Sequence, residues 1–500
     1  MKNNKYLFMI LMVGIFIMFQ SCSDEFLNEY PTSAQAPEDI RKLTDVEIVM
    51  NGVYDLMQDN DFLGQCYIGT NDMRSDDNQV PDFGRLEDEY RYDFDAINAR
   101  SGIWSQPYTI IRQANTVLKM LENIDAESDT EEATKQDMIG QSLAIRAFCH
   151  FALCNWYGYP YSHDGGASLG VPIVTTVALP DAKVPRSTVA QVYSQILTDL
   201  NAAIPLLKDD KKGGKINSWA AKTLLARVYL YMEDNANAYD VAVDVINNGP
   251  YELMSGSEYV DSWADDFSSE SIFSCVNSAA DNTGGESINN LSDPEGYGQF
   301  IASQDLIDLV RSDPDDIRNG MLYIDQLSTV GDPNTYGRIL KYPGKGNTKA
   351  IIVDHFEGSG APVTSSTTSN VSIFRLSELY LIAAEAAVKK SPSDITNAAF
   401  YLNEIVERAN PAATVDEEDV DLDRILTERR KELMGEGHRF YDLIRNKRDI
   451  VRSLSPRATA PGVPSARMNI PYNDYQVIFA IPRTELNINP LTQNPGYQGV

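Results

Sequence analysis

Four histidines, His150, His163, His355 and His438, limit the acid–base and metal chemistry open to this chain of 500 residues. A nucleophile activated by histidine needs base and orienting carboxylate within reach, and a zinc site needs several nitrogen or sulfur ligands. None of the four has such a neighbourhood; His163, in Tyr159-Pro160-Tyr161-Ser162-His163-Asp164-Gly165-Gly166, reads as a solvated ring on a surface turn. There is no glycine loop leading into Lys-Ser or Lys-Thr, no His-Glu-x-x-His and no nucleophile elbow. Glycoside cleavage needs two carboxyl groups roughly 5–10 Å apart, and with 72 Asp and Glu in the chain sequence spacing cannot single out a pair. The acidic run Asp416–Asp423 misses the Gly and Glu positions of a calcium loop and reads as a solvated helix entrance capped by Asp421 or Asp423. No catalytic residue, metal ligand or cofactor is assigned.

The elements that would carry any site are helices. Apolar residues recur at three and four over Val46–Met57, Ile103–Ile124, Thr134–Trp156, Val189–Leu207, Ser218–Glu233, Ala236–Asn247, Ser303–Val310, Ser372–Lys389, Ile395–Arg408 and Leu422–Gly435. The pair from Ser218 to Pro250 fits the tetratricopeptide pattern: Leu225, Ala226 and Tyr229 lie on the first helix, Ala238 follows Ala226 by twelve, and Pro250 follows Ala238 by twelve. Ala384, Ala399 and Pro411 mark a second pair with a longer turn. Thr134–Trp156 with Val189–Leu207, and Val46–Met57 with Ile103–Ile124, make two more candidate hairpins. The fold class expected is all-α dominated, with tetratricopeptide-like hairpins stacked over about 40–250 and 372–450.

Two stretches, 59–100 and 251–370, are rich in Gly, Asn, Asp, Ser and Tyr and lack helical period apart from Ser303–Val310. They read as long, ordered, irregular insertions. Within the second, Gly331-Asp332-Pro333-Asn334 and Pro343-Gly344-Lys345-Gly346 read as turns and Ala350–Val353 as a short strand.

Composition, 43% hydrophobic and 23% charged, is that of a chain able to bury a large core. The net charge of −30 would repel phosphate backbones, so nucleic acid is not an expected partner. Lys2 and Lys5 precede an apolar run from Tyr6 to Phe19, and Gln20, Ser21 and Cys22 follow. Fourteen apolar residues are too few for the roughly 20 of a spanning helix, and the order basic, apolar, small is that of an export signal over 1–21. Cys22 stands where lipoprotein signals place the residue that is lipidated after cleavage, and the lipid would supply the membrane anchor. Cys66, Cys149, Cys154 and Cys275 show no metal or disulfide spacing and read as small buried hydrophobes.

In the C-terminal half, Phe374-Arg375-Leu376-Ser377-Glu378-Leu379-Tyr380-Leu381-Ile382-Ala383-Ala384-Glu385-Ala386 and the run Glu428-Arg429-Arg430-Lys431-Glu432-Leu433-Met434-Gly435-Glu436-Gly437-His438-Arg439-Phe440-Tyr441-Asp442-Leu443-Ile444-Arg445 resemble the SusD-like (RagB/SusD) family. Further matches are Trp104, Tyr108, Ile111 and Ala114-Asn115, then Arg146-Ala147-Phe148, Gly170-Val171-Pro172-Ile173, Pro185-Arg186-Ser187-Thr188, Ile481-Pro482 and Asn489 to Tyr497, so the resemblance covers essentially the whole chain. It implies a cell-surface, lipid-anchored outer-membrane protein. Such a protein captures oligo- or polysaccharide and delivers it to a SusC-like TonB-dependent transporter, as a binder and not an enzyme. Ser23-Asp24-Glu25 resembles the family's surface-export tag. The alternating charges of Arg429, Arg430, Glu432, Glu436, His438, Arg439 and Asp442 read as an ion-pair network at helical spacing.

A sugar binder needs aromatic rings against the C–H faces of pyranoses and polar groups around their hydroxyls. The first insertion offers Tyr67, Asn71, Asp72, Arg74, Asp76, Asp77, Tyr90, Tyr92 and Phe94; the second offers Tyr259, Trp263, Phe267, Tyr297, Phe300, Tyr323 and Tyr336. Trp104, Trp156 and Trp219 lie on helices and are assigned to the core. The ligand-binding candidates are Trp263 first, then Tyr297, Tyr67, Tyr92, Asp72, Arg74, Asn71 and Phe300. Capture of peptide by the same scaffold, and a surface hydrolase, are the alternatives.

Overall fold

Helices with one apolar face bury it by pairing, and here the pairing runs the length of the chain. The structure, a computed structural model, describes residues 40–79, 84–178, 182–211, 213–293, 295–324, 337–357, 362–453 and 467–498. The export signal, Cys22, the turn at Gly331 and Tyr336 lie outside the described residues. The longer helices are α1 (Leu43–Gln58), α2 (Cys66–Arg74), α3 (Ser101–Leu121), α4 (Asp129–Tyr157), α5 (Val189–Ala203), α6 (Ser218–Tyr231), α7 (Asn235–Asn248), α8 (Gln304–Arg311), α9 (Lys349–Glu357), α10 (Leu376–Lys389), α11 (Ile395–Ala409), α12 (Leu422–Glu432) and α13 (Arg439–Arg445).

α1 packs on α3, α3 on α4, α4 on α5, α5 on α6, α6 on α7, and α7 on α10, which pairs with α11. Four hairpins, α1/α3, α4/α5, α6/α7 and α10/α11, thus stack in one array, as the periodicity predicts. Ala226, Ala238 and Ala384 have no accessible surface, because small side chains let neighbouring helices approach closely. Caps fix the helix starts: Thr188 and Gln191 form a capping box at α5, and the Asp421 carboxylate accepts from the Arg424 N–H at 2.7 Å before α12. Trp104, Trp156 and Trp219 are buried, as are the four unpaired cysteines Cys66, Cys149, Cys154 and Cys275. Among the described residues no helix is long and apolar enough to cross a membrane.

The insertions differ from the sequence expectation in detail. α2 is a helix inside the first stretch, missed because every one of its residues except Tyr67 is buried, which erases the apolar–polar alternation that marks a helix. Residues 350–353 belong to α9 and not to a strand. The second insertion is closed at its base: β2 (Ser271–Cys275) pairs antiparallel with β6 (Val371–Arg375), Ser271 opposite Arg375, so the chain re-enters the stack where it left. A four-stranded antiparallel sheet ordered β1-β3-β5-β4 joins both insertions, with β1 (Asn78–Gln79) beside β3 (Ile301–Ala302), then β5 (Gly337–Ile339) and β4 (Leu322–Ile324).

Buried charges lock these parts together. Glu432, fully buried at the end of α12, receives Arg375 Nη1 at 2.7 Å, Arg408 Nη2 at 2.6 Å and Arg318 Nη1 at 3.4 Å. Arg375 also reaches Glu436 at 2.7 Å and Glu270 at 3.1 Å, Arg408 reaches Glu270 at 2.6 Å, and Lys341 pairs with Glu436. Burial alone would raise the Glu432 carboxyl; Arg408, Arg375 and Arg318 overcome it and hold the group far below the carboxylate range. Of the alternating charges read from the sequence, Glu432 and Glu436 belong to this network, while Arg429 pairs with Asp442, Arg430 with Asp77 and Arg439 with Asp76. We expect Glu432→Ala to cost about 3–5 kcal/mol in denaturant unfolding, since it leaves buried guanidinium groups without their carboxylate. Because the folded value is depressed, wild-type stability should be full above the unfolded Glu value of about 4.3 and fall as pH drops through the carboxylate range, less steeply in the variant.

Candidate functional site

The two insertions meet along a seam. Ile288 N–H donates to Gly64 O at 2.8 Å, Asn60 Nδ2 donates to Thr283 O at 3.2 Å, and Gln65 Nε2 donates to Glu286 O. The loop that follows carries one aromatic outward and one inward. Tyr297 N–H donates to Asn290 O at 2.9 Å, and the N–H groups of Gln299 and Phe300 donate to Leu291 O at 2.7 and 3.0 Å. Gly296 allows the fold-back, because a Cβ there would lie 2.4 Å from Asn290 O. Phe300 is 1% exposed and anchors the loop, while Tyr297 is 38% exposed at the surface.

Arg85, from the first insertion, lies over the Tyr297 ring with Cζ 3.4 Å from its centroid. Its Nε stands 2.6 and 2.7 Å from the two Glu286 carboxylate oxygens, and its backbone N–H donates to Gln299 Oε1 at 3.0 Å. Glu295, two residues before Tyr297, meets His355 Nε2 at 3.0 Å. The result is an exposed ring braced on one face by a guanidinium and framed by a carboxylate and an amide. Such a site can hold a flat, hydroxyl-rich ligand by contact and hydrogen bonds.

Of the other residues singled out from sequence, most are turned inward. Arg74 has no exposed surface: it lies over the Phe440 and Phe479 rings at 4.0 and 4.3 Å, and its Nη1 donates to Val477 O. Asn71 Oδ1 accepts from Arg74 Nη2 at 3.1 Å, and Asp72 accepts from the Gly437 N–H at 3.1 Å. Burial, with Asp77 adding, pushes the Asp72 carboxyl well above its usual range. The Tyr92 hydroxyl donates to Arg74 O, and burial pushes it up to about 12. Tyr67 packs edge-on against Phe148 and Trp156, and its hydroxyl accepts from Arg227 Nη1 at 2.8 Å. Asn71, Asp72, Arg74, Tyr92 and Phe300 are therefore corrected from ligand contacts to interior packing and hydrogen-bonding groups. An insertion this long must build its own small core, and its aromatics and amides are consumed in doing so.

Trp263, the first choice from sequence, is also corrected. It is half-buried, its ring near Lys341 Nζ at 4.6 Å and Tyr259 at 6.4 Å, with Nε1 enclosed. Its buried part roofs the ion network.

Arg85, Glu286 and Gln299 were not singled out from sequence. The glycines flanking Tyr297, in Gly296-Tyr297-Gly298, were the available signal that its ring has no local cover. His355 meets Glu295, and the His163 ring stacks on Tyr159 at 4.5 Å. His150 is buried, accepts from the Val174 N–H at 3.2 Å and faces Arg146 O at 3.0 Å; burial and Arg146 lower it to about 3, so its ring is neutral. Among the described residues no group of three His, Cys, Asp or Glu side chains is placed to hold a metal.

The sequence matches the family described as starch-binding associating with outer membrane over residues 25–230, and the SusD family over 341–497. A SusD superfamily protein of Bacteroides vulgatus shares 34% identity, covering 92% of this chain and all of that one at a TM-score of 0.82. One from Bacteroides thetaiotaomicron shares 35% identity over 91% of this chain and all of its own, also at 0.82. SusD-like protein P25 of Formosa agariphila is 26% identical, covering 98% of this chain and 99% of its own length.

The placement of Trp263 separates packing from binding. Trp263→Ala should lower the thermal unfolding midpoint by several degrees, as loss of a half-buried aromatic against charged groups does, while leaving ligand affinity within about twofold.

Proposed function

The chain belongs to the SusD family, and from that membership we propose that it is a cell-surface glycan-binding lipoprotein. It captures oligo- or polysaccharide and passes it to a SusC-like TonB-dependent transporter. In this reading Cys22 carries the lipid that holds the protein on the outer face of the outer membrane, and the folded chain binds its cargo without altering it. The observation that carries the reading is the exposed Tyr297 ring at the junction of the two insertions, braced by Arg85 and bordered by Glu286 and Gln299. The starch-binding description of the family matched over residues 25–230 supports the ligand class, and its association with the outer membrane supports the location.

The ring presents a flat apolar face, and the neighbouring carboxylate and amide accept from hydroxyls; a pyranose carries both features. Affinity from one such platform is modest. Tethering to the same membrane as the transporter compensates by raising effective concentration.

In calorimetry of the mature chain against a polysaccharide panel, Tyr297→Ala should lower affinity for the bound polymer by about 1–3 kcal/mol, the scale of one stacking contact. Arg85→Ala should lower it less, because the ring remains and only its brace is lost. Unchanged affinity in both variants, with normal thermal unfolding, would move the site away from this face.

A further inference from the structure

We propose that the ligand taken at the Tyr297 face is an uncharged glycan, and that polyuronates and sulfated polysaccharides are rejected by charge built into the two insertions; this rests on the glycan-binding reading above. Residues 59–100 and 251–370 together hold 30 Asp and Glu against 10 Lys and Arg, a net of −20 out of the chain's −30. About a third of the chain therefore carries two-thirds of its excess charge. Burial takes four of the ten cations, Arg74, Arg318, Arg338 and Lys341, and six of the carboxylates, Asp72, Asp76, Asp77, Glu89, Glu270 and Asp316, so the acidic excess persists outside the interior. Asp88, Asp281 and Glu295 are exposed.

Recognition of a carboxylate or sulfate calls for a guanidinium or ammonium free to donate to it, best through two parallel bonds. Arg85 is already engaged by both oxygens of Glu286 and stacked on Tyr297. His355 is met by Glu295 at 3.0 Å, and Arg338 lies beneath the surface with Nη1 3.7 Å from Asp293. Arg85 and Arg338 thus each face a carboxylate, as does the His355 ring. An anionic sugar arriving here would have to displace Glu286 and would add its charge to a face of the same sign, where repulsion is screened only beyond about 8 Å at physiological salt. A neutral sugar meets neither obstacle. Its hydroxyls can donate to Glu286 while its C–H face lies on Tyr297.

Native affinity electrophoresis of the full mature chain tests this. The gels contain starch, laminarin, xylan or galactomannan as neutral polymers, and polygalacturonate, alginate or a sulfated galactan as anionic ones, at low ionic strength where charge effects are largest. Retardation by at least one neutral polymer, lost in Tyr297→Ala, with no retardation by the anionic set, is the expected result. Retardation by an anionic polymer that Tyr297→Ala removes would overturn the inference and leave the glycan-binding reading standing. Retardation by no polymer in either set would overturn the glycan-binding reading itself.

Discussion

The carboxylate of Glu432, shared among Arg375, Arg408 and Arg318, is the interaction on which the rest of the molecule depends. Each partner comes from a different part of the chain: Arg375 ends β6, Arg408 lies on α11, and Arg318 lies in the second insertion. Glu270, just ahead of β2, joins through Arg375 and Arg408. One charged cluster therefore fixes both ends of a 120-residue excursion to the last hairpin of the stack. Removing charges from water is costly, so a network of this size persists only where each member has several partners. Tyr259 adds its hydroxyl at 3.1 Å from Glu432, and Trp263 closes the roof.

A second set of ion pairs secures the first insertion to the C-terminal half. Arg439 holds Asp76 through two bonds of 2.8 and 2.9 Å, and Arg430 reaches Asp77 at 2.5 Å. Gly437, at φ +81°, lets the chain pass over α2, where a Cβ would lie 3.1 Å from Tyr67 O. The four-stranded sheet then joins the two insertions to each other. Loops this long would otherwise sample many conformations; anchored at both ends and along one edge, they can hold an exposed ring in a defined place.

That rigidity explains why so few of the loop aromatics face solvent. Tyr259, Phe300, Tyr323 and Tyr92 are consumed by packing; among the described loop aromatics Phe267 and Tyr297 are left outward, Tyr297 because the turn that seats Phe300 inside points the ring three residues earlier the other way. A single braced ring within an acidic surround favours a ligand held by contact and hydroxyl bonding over one held by charge. His150 and His438 are buried, and burial is the leading cause that holds their rings neutral.

The sequence by itself determined the helical array and the presence of ion pairs, while the distant partners of Glu432, Arg375, Arg408 and Arg318, came only with the tertiary structure. Apolar spacing set the four hairpins, small residues such as Ala226 and Ala238 marked where helices touch, and the alternating charges from Glu428 to Arg445 announced ion pairs; all of these are local patterns that survive translation into structure. Family resemblance, carried by Phe374 to Ala386 and Glu428 to Arg445, was legible for the same reason. The inward or outward direction of each loop aromatic was decided only by tertiary structure. Tyr297 and Phe300 stand three residues apart in the same polar stretch, and apart from the glycines flanking Tyr297 nothing local distinguishes them. What separates them is the hydrogen bonding to Asn290 and Leu291 and the approach of Arg85 from more than two hundred residues away.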